Sequence, residues 1–115
     1  MRYAEAVKEA YSKTKSTLVE AAKQLPIEEI WLFGSAARRE MRLGSDLDFL
    51  VIVGEDVNRK EVSVAIELLD VREDVGQVPV DVIVRRRSYI ESGSDVFSRE
   101  VLRDRKLVWR REASV

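Results

Sequence analysis

Apolar and polar positions follow two rhythms along the chain. Val7, Ala10, Tyr11, Leu18, Ala21, Ala22 and Leu25 recur at three- and four-residue spacing with Lys and Glu between them. That rhythm predicts an amphipathic helix over residues 2–24, ended by Pro26. Compact apolar runs predict strands over residues 28–33, 46–53 and 78–84. Between the first two, residues 35–41 read as a short helix and 42–45 as a loop. Residues 54–58 form a turn. A second amphipathic helix follows from Lys60 to about Val71, with Val62, Ala65, Ile66 and Leu69 facing inward. Its other face is acidic, carrying Glu61, Glu67, Asp70, Glu73 and Asp74, which reads as a solvated surface. Gly76 and Pro79 frame the entry to the third strand. Further on come a helical turn at 89–92 and a helix capped by Ser94 or Asp95, which runs to about Arg105. The apolar side of that helix is Val96, Phe97, Val101 and Leu102. A short edge strand follows at 107–109. The order of elements predicts an α/β (α+β) fold: a small mixed β-sheet with helices packed on one side.

Two places break the pattern of an ordinary layered fold. The apolar run Ile30-Trp31-Leu32-Phe33 ends abruptly in Gly34-Ser35. Gly34 lets backbone approach a ligand closely, and Ser35 is placed to cap the following helix, whose first N–H groups favour an anion. The second break is the presence of aspartates in strands, where aspartate is disfavoured. Strand side chains alternate between faces, so Asp46 and Asp48 share one face while Leu47 and Phe49 take the other. Asp81 interrupts the third strand and shares a face with Ile83. Burying a carboxylate costs several kcal/mol (roughly) unless a cation or an arginine compensates. Arg85, Arg86 and Arg87 could supply that arginine for Asp81. The alternative is a divalent cation between converging carboxylates, next to a phosphate tail at Gly34-Ser35.

Composition narrows the chemistry. At 115 residues the chain is one domain, residues 1–115. It has no cysteine and no histidine. Disulfides, thiolate metal sites and imidazole catalysis are thereby excluded, and any metal must be held by oxygen, which favours Mg or Mn. Twenty basic residues against twenty-one acidic ones make no general case for nucleic acid or membrane attraction. The first residues lead into an amphipathic helix and not a signal sequence, and no apolar run approaches membrane-spanning length, so a cytoplasmic location is expected. Beyond residue 85 the chain turns basic, with nine Lys or Arg against four acids from Arg85 to Arg111. This reads as a solvated face, or as a dock for an acidic partner or a nucleic acid backbone.

Gly34-Ser35, a ten-residue gap, then Asp46-Leu47-Asp48 resembles the signature of the DNA polymerase beta-like nucleotidyltransferase superfamily. The form Gly34-Ser35-Ala36-Ala37-Arg38 followed by Ser45-Asp46-Leu47-Asp48-Phe49-Leu50-Val51 is closest to its minimal nucleotidyltransferase (MNT-type) members, often encoded with a helical HEPN partner as antitoxins. The resemblance implies a polymerase beta palm-like fold. It implies metal binding and catalysis by Asp46, Asp48 and Asp81, and nucleotide or phosphate contacts from Gly34, Ser35, Arg38 and Ser45. It also implies Mg (or Mn), ATP or another NTP as substrate, and transfer of AMP to a hydroxyl on a HEPN-type partner. A second subunit, as in a homodimer, is an alternative way to complete the cleft. The same fold could instead serve as a non-catalytic antitoxin, or as an antibiotic-type small-molecule transferase. Members commonly carry Gly where this chain has Arg39.

Overall fold

The computed structural model describes residues 2–69 and 78–112. Helix α1 (Tyr3–Ala21) leads into β1 (Ile27–Phe33), the single-turn α2 (Gly34–Ala37), and β2 (Leu47–Val53). Helix α3 (Arg59–Glu67) and β3 (Val80–Arg86) come next, then α4 (Arg87–Ser92), α5 (Val96–Asp104) and β4 (Lys106–Arg110). The four strands form one sheet in the order β3-β2-β1-β4. β1 is antiparallel to β2 and to β4, whereas β2 and β3 run parallel. The sheet is therefore mixed, as expected. A parallel pair needs a long crossover, and α3 lies within the one joining β2 to β3.

Alternation along β2 sorts the core into two layers. Leu47, Phe49, Val51 and Val53 join one cluster with Ala6, Ala10 and Leu18 of α1 and Val62 and Ile66 of α3. Leu50 and Ile52 point the other way and pack with Ile90 of α4 and Val101 of α5. Helices thus cover both faces. The expectation of helices on one side holds for α1 and α3. It fails for α4 and α5 because Leu50 and Ile52 make the other face of β2 apolar too, so each face needs cover. Tyr11 of α1 stacks on Phe49 at 5.8 Å between ring centroids. In α1 the buried positions Ala6, Ala10, Thr14 and Leu18 fall four apart, a single stripe on the sheet.

Element ends follow local chemistry. Asn58 caps α3 by accepting from the backbone N–H of Lys60 and Glu61. Asp95 caps α5 and completes a reciprocal box with Ser98, while Gly93 closes α4 in the left-handed conformation. α3 is shorter than its periodicity suggests, with Leu68 as its cap and Leu69 exposed. The expectations placed on Asp70, Val71, Glu73, Asp74 and Gly76 lie outside the described residues.

The basic C-terminal third is largely consumed internally. Glu29 of β1 is 4% exposed and accepts from Trp31 Nε1 (3.1 Å), Arg87 (3.1 Å) and Arg110 (2.8 Å). Arg87 also pairs with Glu28 at 2.6 Å. Arg111 donates to the backbone carbonyls of Ala22, Ile27 and Leu25, and Arg105 lies 4.2 Å from the centre of the Trp31 ring. These contacts fasten β4 to β1 and to the end of α1. Burial pushes the Glu29 carboxyl up, but the bonds from Trp31 and Arg110 and the charge of Arg87 outweigh it and hold its pKa below the usual 4.5. Its ion-pair stabilisation is therefore present above pH 4.5 and lost as pH falls below it. Glu29→Gln should destabilise the protein at pH 7 by about 2 kcal/mol. In denaturant titrations the gap to wild type should narrow as pH falls below 4.5.

Candidate functional site

The site is built where β1, β2 and β3 end together. The parallel register sets Asp48 directly opposite Asp81, and parallel partners present their side chains to the same face about 4.8 Å apart. On the other side of β2, Asp48 pairs with Phe33, the last residue of β1. The chain turns at the next residue, Gly34, with φ +72. A Cβ there would stand 2.5 Å from Asp48 Oδ2. Only glycine lets the turn close against the carboxylate, for reasons both of φ and of space. Asp46 precedes β2 and is exposed.

Asp48 feels the charge of the other two aspartates. Burial first, then the charges of Asp46 and Asp81, push the Asp48 pKa up to about 6, against a smaller opposing pull from Arg38. Asp48 shares a cleft of about 330 Å³ with Gly34, Ser35, Arg38 and, from α5, Phe97 and Asp104. Arg85, Arg86 and Arg87 sit at the far end of β3, roughly 13 Å or more from Asp81. Their contacts are there: Arg87 with Glu28, Glu29 and Glu91, Arg86 with the carbonyl of Val57, and Arg85 with that of Val84. The sequence-based alternative of pairing Asp81 with one of these arginines is not what the structure shows for them.

The donor set suits a hard cation, since every candidate ligand is a carboxylate and mutual repulsion is already present at Asp48. Among the described residues, however, no group of three carboxylates is gathered closely enough to hold a metal ion as it stands.

The phosphate-side candidates divide. Gly34 and Ser35 both line the cleft, but Ser35 does not cap α2. The helix begins one residue earlier with Phe33 at the cap position, and the Ser35 hydroxyl donates to Met41 Sδ at 3.3 Å. Ser45 braces its own loop, accepting from the Arg42 N–H at 3.0 Å. Arg38 reaches across to α5, bonding Asp104 at 3.2 Å and Glu40 at 3.0 Å. Sequence reasoning missed α5 as a wall of the cleft. Its tell-tale was Phe97, which packs edge-on against Phe33 at 5.6 Å, but no local pattern joins those two residues.

Helix α2 stops after one turn, not near Met41 as its composition suggested. Arg39 adopts φ +59, the only positive φ of a non-glycine residue among those described. Arg39, where the sequence resemblance leads one to expect glycine, thus stands in a conformation that glycine adopts readily. An arginine holds the left-handed turn at a cost of roughly 1 kcal/mol.

A four-stranded mixed sheet whose helices leave a carboxylate-lined end open beside a glycine turn defines a small α/β protein of nucleotidyltransferase type. A model of the nucleotidyltransferase domain matches residues 12–108, and the chain belongs to that family. Among solved structures, a Sulfolobus solfataricus protein provisionally described as a nucleotidyltransferase superposes with a TM-score of 0.65 at 23% identity. The match covers 93% of this chain and 86% of that one. A toxin–antitoxin structure with AMP-PNP gives 0.51 at 20% identity, covering 85% of this chain and 74% of the other. A mutant of the toxin–antitoxin pair MntA–HpeT gives 0.50 at 18% identity, with the same coverage. At such identities the likeness speaks for the fold. No curated protein matches the chain in sequence.

Two outcomes test the local physics. Since the Asp48 pKa is raised, its favourable contribution is complete below 3.8 and lost as pH rises through about 6. Asp48→Asn should therefore stabilise the metal-free protein at pH 7 by about 1 kcal/mol after solvent screening, and by little at pH 4, in paired melting curves. Arg39→Gly should stabilise by about 0.5–1 kcal/mol, the relief of the left-handed turn less glycine's entropy cost. An unchanged or lowered melting temperature would count against strain at that turn.

Proposed function

We propose that this chain transfers a nucleoside monophosphate, AMP from ATP in the first instance, to a hydroxyl on a partner protein, as the antitoxin half of a toxin–antitoxin pair. The observation that carries the reading is the Asp48–Asp81 register pair on one face, closed on its flank by Gly34. Such a pair, with Asp46 beside it, supplies oxygen ligands for one or two divalent cations where a triphosphate would lie. Mg or Mn bound there would neutralise charge on the phosphates of the nucleotide.

The chain's own residues then have distinct tasks. Gly34 and Ser35 admit the phosphate tail close to the backbone. Arg38, already drawn toward Asp48 and Asp104, offers a cation on the same side of the cleft. Asp46 and Asp48 provide carboxylate oxygens to the cation. Asp81 accepts the proton of the attacking hydroxyl as its oxygen bonds to the α-phosphorus and the bond to pyrophosphate breaks. Ser45 contributes by holding loop 42–45, from which Asp46 enters the site.

Support for a protein acceptor comes from the two toxin–antitoxin neighbours, one with AMP-PNP. The other carries glutamate in place of two aspartates two positions apart, the spacing of Asp46 and Asp48. The helical HEPN-type character of the partner rests on the sequence resemblance.

The test is incubation with labelled ATP, magnesium and the product of the neighbouring gene, then mass spectrometry of that product. A mass increase of one AMP is expected with wild type and should fall at least 100-fold, roughly, with Asp48→Asn. Retention of partner neutralisation by Asp48→Asn, without any added nucleotide, would establish the binding-only alternative instead.

A further inference from the structure

A second cleft lies at the opposite end of the parallel strand pair. Its volume is about 480 Å³, and Glu55, Arg59, Arg85, Arg86, Ser88 and Tyr89 line it. In the register of the sheet, Arg85 faces Ile52 and Arg86 faces Val53, four and five positions along from the Asp48–Asp81 pair. The separation along the strands is roughly 13–17 Å, so this is a separate place and not a lobe of the aspartate cleft.

Three arginines gather in that cleft, whereas Arg105 lies over the Trp31 ring and Arg111 is spent on backbone carbonyls. Arg38, Arg87, Arg103 and Arg110 are all ion-paired to carboxylates. Among the described residues, Arg59, Arg85 and Arg86 have none within pairing distance, yet all three are half-buried. Two are fixed by neutral groups. Arg85 donates to the Val84 carbonyl at 2.8 Å and lies 6.0 Å from the ring centres of both Tyr89 and Phe97. Arg86 donates to the Val57 carbonyl at 3.2 Å. The cleft's one carboxylate, Glu55, is held by Ser88 through its hydroxyl (2.6 Å) and its N–H (3.3 Å). Glu55 feels the charge of Arg86, but three guanidinium groups face that single acid.

Holding partly desolvated cations rigid without counterions is unfavourable unless an anion is the missing partner. Guanidinium forks match phosphate oxygens in geometry. The volume falls in the range of small-ligand pockets. A nucleic acid backbone would need a continuous row of free cations, and the remaining basic residues of the C-terminal third are largely taken up by Glu29, Asp104, Trp31 and backbone carbonyls.

We propose that this arginine cleft is a second, metal-independent site that binds the phosphate groups of a small ligand of nucleotide size. Phe97, which lines the aspartate cleft, has its ring centre 6.0 Å from the Arg85 guanidinium. The proposal does not depend on the transfer reaction and can fail or stand without it.

The experiment is a calorimetric titration of the full chain with inorganic pyrophosphate in EDTA at constant ionic strength. Wild type and Asp48→Asn should bind alike. Arg86→Gln and Arg59→Gln should each weaken binding at least tenfold, whereas Arg103→Gln, outside the cleft, should leave it unchanged. Arg59 makes no side-chain hydrogen bond or ion pair among the described residues, so its variant reports on binding even if the Arg86 variant is unstable. Equal affinity in both cleft variants would overturn the proposal, as would loss of binding in Asp48→Asn. Binding of a short single-stranded RNA or an acidic peptide, with none of pyrophosphate, would also reject it in favour of a macromolecular dock.

Discussion

The site rests on the parallel pairing of β2 with β3. A parallel register puts residue opposite residue with side chains on a common face, so Asp48 and Asp81 are neighbours although they stand far apart in sequence. A shift of one position would send Asp81 into the layer of Val80, Val82 and Val84 beneath α1 and α3. The hydrophobic pattern forbids that shift, because Val80 and Val84 are buried there. The same apolar alternation that builds the core therefore also aims the carboxylates.

Around this pair the structure tolerates unfavourable local choices. Asp48 lies against the Gly34 turn, and its burial together with the charges of Asp46 and Asp81 raises its pKa. Arg39 holds a backbone shape that suits glycine better. Both features concentrate where the sheet ends and a ligand would sit, in keeping with strain gathered at functional sites. Stability is drawn from elsewhere: the two-layer core and the clamp of Arg87, Arg110 and Arg111 on β1 and the end of α1.

That clamp changes the meaning of the basic C-terminal third. Read linearly, its excess of Lys and Arg could serve a solvated surface or a docking face. Folded, most of it is directed inward to one buried glutamate, an indole ring and several carbonyls, while Arg85 and Arg86 line a cleft with Arg59. Sequence charge counts cannot separate these cases, because pairing across β1 and β4 depends on contacts more than eighty residues apart.

The chain's own letters were enough for the mixed sheet, the order of its elements and a cap at Ser94 or Asp95, since each depends on neighbours a few positions away. Periodicity, cap chemistry and strand alternation are local rules. What the fold alone decided was nonlocal: the Asp48–Asp81 register, the cover of the second sheet face by α4 and α5, and the approach of α5 to the glycine turn. It also redirected Ser35 to Met41 and ended α2 at a left-handed arginine, because backbone angles and partners across the sheet are set by packing and not by residue type.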